Sequence, residues 1–327
     1  MKTENFWMKS IAVVALTALL VTGCKKKDDE VTPDTTPSTE ETTKQQTNAN
    51  DQANVDQQMN ESMDDANKVL SDNSNTRKDL PCNVTIDSSA LMTQGLIKLT
   101  YGGPNCDGTK TRTGEISLQL PFDKSINKPV RWSAKGAYVQ LTYKNFKVTR
   151  IADGKSLTFN GQVTATNVTG GGVFDVLVLK QTVTHNFRGG LTLTFDDNTT
   201  REWAVARSRS YKPSLTVLVV EDAGDTVING KTISYWGKNR ANEEFSISID
   251  QPVATEIITA TVCRLYKPYQ GVVTINTTAT SAAVKTATIT YGVDATGTQV
   301  LGNACPFGYR LNWTDPTGGA QQLIIKY

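Results

Sequence analysis

A single histidine, His185, occurs in the 327 residues, so any Ser-His-Asp or Cys-His relay would have to pass through it. It stands in "TVTHNFRGG", at the end of a strand-like run, and no Gly-x-Ser-x-Gly elbow accompanies it. A structural role is the expectation. The chain has no His-Glu-x-x-His, no Gly-x-x-x-x-Gly-Lys-Ser/Thr phosphate loop and no dinucleotide fingerprint after a strand. Two carboxylates facing each other would suffice for a glycoside hydrolase. Acids are spread along the whole chain, however, and spacing alone does not bring two of them across a cleft. The reading is therefore non-enzymatic, with no catalytic residue, no metal and no cofactor assigned, and a glycoside hydrolase as the lesser alternative.

The cysteines suit crosslinks better than chemistry. Cys82, Cys106, Cys263 and Cys305 make an even set without a Cys-x-x-Cys, and one histidine is too few for a zinc site. Four cysteines allow three connectivities. Cys82–Cys106 and Cys263–Cys305 are favoured, because the partners are near in sequence and bracket similar strand pairs, with "LTYG" in one and "ITYG" in the other.

Binding chemistry is more visible. In "REWAVARSRSY", alternation puts Arg201, Trp203, Arg207, Arg209 and Tyr211 on one strand face and small residues on the other. A basic, aromatic face suits an anionic glycan. The competing reading packs the small side against a neighbouring element and leaves the arginine heads in water. Tyr235, Trp236 and Tyr269 are candidate sugar platforms, although neighbours on a strand face opposite ways. A net charge of +2 gives no argument for nucleic acid.

The elements that carry these residues begin with an address. Lys2 and Lys9 precede the apolar run Ile11 to Val21, too short to span a bilayer but right for a secretory signal. Val21-Thr22-Gly23-Cys24 resembles a bacterial lipobox, which implies acylation of Cys24 after cleavage. Lys27-Asp28-Asp29 resembles the export tag of surface lipoproteins of the Bacteroidetes type, and "CDGTKTRTGEI" resembles a strand entry found in uncharacterised members of that group. The resemblance implies a lipid-anchored outer-membrane protein facing the medium, with no activity attached. Two or more acyl chains would hold it stably.

Composition sets the rest. The segment 1–23 reads as signal peptide and 24–50, rich in Thr, Gln, Asn and Glu, as a disordered lipidated tether. Within 51–72, Val55, Met59, Met63, Ala66 and Leu70 form one helical stripe, which predicts a short acidic amphipathic helix capped by Asp51. From Cys82 onward, period-two runs are cut by Asp107-Gly108, Asp153-Gly154, Asn160-Gly161 and Asn229-Gly230, each read as a turn. The fold class is all-β: antiparallel sandwich-like sheets in one large domain or two similar ones, divided as 82–187 and 188–327. The expected role is binding a glycan or another surface ligand. The alternative is a structural or partner-binding subunit of an envelope complex.

Overall fold

Alternation of side chains along short runs produces strands wherever one face can be buried. "SLTFNGQVTATN" is typical: Leu157, Phe159, Val163 and Ala165 point inward and the intervening residues do not. A computed structural model describes residues 39–71, 80–215, 217–228, 230–258, 267–278, 286–302, 304–315 and 318–327. All of them belong to one compact unit. Cys24, Lys27, Asp28, Asp29 and Cys263 lie outside the described residues.

Helix α1, Thr39–Leu70, precedes the strands. The first half of the sheet is β1 (Val84–Asp87), β2 (Leu96–Pro104), β3 (Lys110–Gln119), β6 (Tyr138–Arg150), β7 (Ser156–Asn167) and β8 (Val183–Phe195). Two short strands, β4 (Phe122–Asp123) and β5 (Lys128–Pro129), form a separate ribbon. The chain continues through β9 (Thr200–Ser214), β10 (Val217–Gly224), the ribbon β11 (Thr226–Ile228) with β12 (Lys231–Ile233), and β13 (Tyr235–Lys238). It ends with β14 (Glu244–Ile258), β15 (Pro268–Thr278), β16 (Thr286–Val293), β17 (Gly308–Thr314) and β18 (Ala320–Lys326).

Fourteen strands make one antiparallel sheet in the order β1-β2-β3-β6-β7-β8-β9-β10-β14-β15-β16-β17-β18. The fourteenth, β13, also pairs with both β9 and β14, using different residues from those that β10 uses. The sheet therefore runs unbroken, and the boundary expected after residue 187 falls inside β8. One large β unit is the outcome. So wide an antiparallel sheet twists strongly. Its concave face meets α1 from both sides: Tyr101 of β2 donates to Asp65 Oδ2, and Tyr309 of β17 donates to Asn50 Oδ1.

The helix is longer than the stripe predicts. It begins at Thr39, so residues 39–50 are helical rather than tether, and Asp51 is an interior residue rather than a cap. Docking explains the difference: Gln45 and Ala49 are buried, and Asn50 is held by Tyr309. Tertiary contact stabilises a segment whose composition alone would not sustain a helix. The expected stripe is right, with Val55, Met59, Met63 and Ala66 all buried in the core.

Asn160-Gly161 corrects another expectation. It lies inside β7, opposite an irregularity in β6 between Tyr143 and Phe146. Asn160 Oδ1 accepts from the Asn145 amide at 2.8 Å, and a Cβ on Gly161 would stand 2.5 Å from the Gly190 carbonyl oxygen. The glycine permits close strand approach at a bulge instead of closing a hairpin. Asp107-Gly108 and Asp153-Gly154 fall between paired strands, as expected, and Asn229 of Asn229-Gly230 lies outside the described residues.

Because α1 plugs the sheet, its stripe governs stability. Met59→Ala should cost about 2–5 kcal/mol, whereas Gln57→Ala on the exposed side should stay within about 0.5 kcal/mol. Urea denaturation of the two variants checks this; equal midpoints would mean that the helix is not part of the cooperative fold.

Candidate functional site

Strand β9 supplies the centre of the molecule. Arg201, Trp203, Arg207, Arg209 and Tyr211 all turn inward and are buried. This corrects both expectations for the strand. Its basic, aromatic face meets α1 rather than a glycan in solvent, and it is the arginine side, not the small side, that packs on the helix.

Each arginine has a reason to be inside. Arg209 Nε and Nη2 donate to the two oxygens of Asp222 on β10, both at 2.9 Å. Arg207 Nη1 lies 3.3 Å from Asp222 Oδ2 and donates to the Tyr235 hydroxyl at 2.9 Å, while Nη2 donates to Asn60 Oδ1 on α1. Arg201 Nη2 donates to Gln52 Oε1 at 2.9 Å, and its guanidinium lies 4.2 Å from the centre of the Phe245 ring. Trp203 stacks on Tyr235 at 5.3 Å. Tyr211 accepts from Asn67 of α1.

Trp236 faces the opposite way from Tyr235 and is half-buried, as is Tyr269. These two therefore do not join Trp203 and Tyr235 in one platform. Cys82 and Cys106 are disulfide-bonded, with Cα atoms 5.1 Å apart, and Cys305 is also in a disulfide. His185 is buried against Trp132 and Tyr211, at 4.7 and 5.1 Å, and burial followed by the nearby Arg209 pushes its pKa down to about 3. It stays neutral at physiological pH. Among the described residues no group of three or more His, Cys, Asp or Glu is placed to hold a metal. No helix among them is long and apolar enough to cross a membrane.

Beside Arg207 and Arg209 the concave sheet and α1 part, leaving a cavity of about 600 Å³. One wall is α1, which presents Asn50, Asn54, Gln57, Asn60, Glu61 and Asp64. The facing wall comes from β14 to β18 and presents Ile249, Val253, Ile257 and Ile325, all half-buried, with Tyr291 and Tyr309. Arg207, Arg209 and Asp222 form the seam between the walls. Lys155, Lys267 and Lys326 also line it.

Charge inside the cavity is unevenly satisfied. Burial pushes the Asp222 carboxyl up, but the Arg207 and Arg209 guanidiniums outweigh it and hold the group below the usual carboxylate value. Both its oxygens are engaged, so it is an ion-pair partner rather than an exposed nucleophile. Asp64 is different. Burial raises it to about 7 against the pull of Arg209 and Lys68, with Asp65 and Glu61 adding to the rise. Asp56 is raised for the same reason, with Arg207 opposing.

Sequence reasoning singled out Arg207, Arg209 and Tyr235, which do line the cavity, but missed both of its main walls. The amide and acid row on α1 was visible as a polar helical face. The aliphatic wall was not, because register shifts along β14 between Ile249 and Thr255 re-aim its side chains.

No protein-family model matches the chain, no curated protein matches it, and no solved structure matches it.

Asp64 gives a signed pH test. Its folded pKa is above the unfolded value, so the folded state loses stability as pH rises from about 4 to about 7 and is level above that. Asp64→Asn should therefore gain on the wild type across that window and hold a constant advantage beyond it. Urea midpoints at four pH values measure the gain; a pH-independent difference would remove the assignment.

Proposed function

We propose that this is a lipid-anchored binding protein of the outer membrane, held by acyl chains on Cys24, exported to the cell surface under the Lys27-Asp28-Asp29 tag, and without enzymatic activity. Its ligand, a glycan or another surface molecule, enters the cavity between α1 and the sheet. One observation carries the binding reading. Four part-buried branched aliphatics at the edge of the core line a cavity of about 600 Å³ whose other wall is a polar face of the helix. Interior apolar surface normally closes to crystal-like density. A cavity of this size, apolar on one side with a few convergent polar groups, is what ligand sites look like.

The strand first read as a glycan surface has another duty here. Its arginines fix the position of α1 and thereby keep the cavity open. Carbohydrate, if bound, would meet Tyr291 and Tyr309 inside the cavity rather than Trp203 on a surface.

Two measurements test the proposal. Mass spectrometry of membrane-extracted protein should find Cys24 as an acylated N-terminus, and protease added to whole cells should digest the protein; a lipid-free or fully shielded protein would refute the placement. Separately, the dye 1-anilinonaphthalene-8-sulfonate should brighten with the chain in lipid nanodiscs beyond empty discs, and Val253→Trp should remove most of that signal. Full brightness in the variant would mean the dye binds elsewhere and the cavity is not the site.

A further inference from the structure

Resting on the reading of the cavity as the ligand site, we propose that its ligand is a facially amphipathic molecule, a rigid body apolar on one broad face and hydroxylated on the other. The argument is the direction in which polarity divides. Asn50, Asn54, Gln57, Glu61 and Asp64 recur at steps of four, three, four and three, so they form one row along α1. At 1.5 Å per residue that row is about 20 Å long. The aliphatic wall runs opposite it, from Val220 on β10 through β14 to Ile325 on β18. Polar and apolar linings thus face each other across the cavity, rather than occupying its two ends.

Three ligand types fit this differently. An acyl chain with one head group needs polar contacts at one end and would leave Asn54 and Gln57, in the middle of the row, beside hydrocarbon, while Asn50 and Glu61 keep Tyr309 and Lys110 as partners. A simple sugar supplies hydroxyls to the row, but only small C–H patches for Ile249, Val253, Ile257 and Ile325. A fused-ring body with hydroxyls on one side serves both walls at once. Hydroxyls both donate and accept, which matches carboxamides such as Asn54 and Gln57. An anionic substituent on such a body would meet Lys155, Lys267 or Lys326.

The test uses the full chain in lipid nanodiscs, with empty discs as the blank, titrated calorimetrically with four probes. They are cholate, its hydroxyl-free analogue cholanate, dodecanoate and maltose. Cholate should bind about tenfold or more tighter than the other three, the size of effect that a few unmatched hydrogen bonds produce. Asn54→Leu with Gln57→Leu, on half-exposed and exposed helix positions, should bring cholate and cholanate to within about twofold while the protein stays folded. If dodecanoate or cholanate binds as well as cholate, or if maltose alone binds, and Val253→Trp abolishes that binding, the facial inference is overturned and the cavity reading stands. Binding of none of the four overturns both.

Discussion

Arg207 sits where helix and sheet meet, 1% exposed, with Asp222 of β10, Tyr235 of β13 and Asn60 of α1 around its guanidinium. A charge removed from water must be paired and hydrogen-bonded, or it costs several kcal/mol. That requirement ties three elements to one point. The same logic repeats along α1: Arg112 of β3 meets Asp65 at 2.6 Å, Lys110 meets Glu61 at 2.6 Å, and Arg240 holds Asp51. The helix is thus fastened along its length by sheet cations on helix acids and amides, with Val55, Met59 and Met63 filling the space beneath.

This fastening accounts for the cavity. Where the helix presents Met59, Met63 and Ala66, the sheet closes on it with residues such as Leu99, Ile116 and Phe146. Where it presents Asn54, Gln57 and Glu61, the helix offers Ile249 and Ile325 little apolar surface beyond Ala53. Arg207 and Arg209 stand between the two regions and are too well paired to yield. A helix with three distinct faces, one apolar, one charged and one rich in amides, therefore supplies both part of the core and one wall of the cavity from a single segment.

Carboxylates bordering the cavity experience very different surroundings. Asp222 is held low by two guanidiniums, whereas Asp64, a few residues from the same arginines, is pushed to about 7 by burial. The contrast is one of partners rather than depth. Asp222 has a bidentate arginine, while the arginine that opposes the rise at Asp64 is already committed elsewhere. A cavity bordered by a carboxyl that titrates near neutrality presents a different lining at pH 6 and pH 8.

Much of this was written in the chain itself. Period-two alternation is a local property of strands, so the antiparallel β character, the turns at Asp107-Gly108 and Asp153-Gly154 and the buried stripe of α1 follow from neighbouring residues alone. Cys82 and Cys106 close a short loop and pair as their spacing suggests. Local pattern does not say which face of a strand meets protein and which meets water. The Arg-Trp face of β9 read as a surface because charge usually is one, and only the acids and amides of α1, about 150 residues earlier in sequence, turned it inward. The extra turns of the helix from Thr39, the strand that runs through residue 187, the bulge at Gly161 and the two-walled cavity are likewise products of distant contact. Composition along a sequence reports what each segment can bury; where a partner is found, and what space is left between them, is decided only when the whole sheet has curved around the helix.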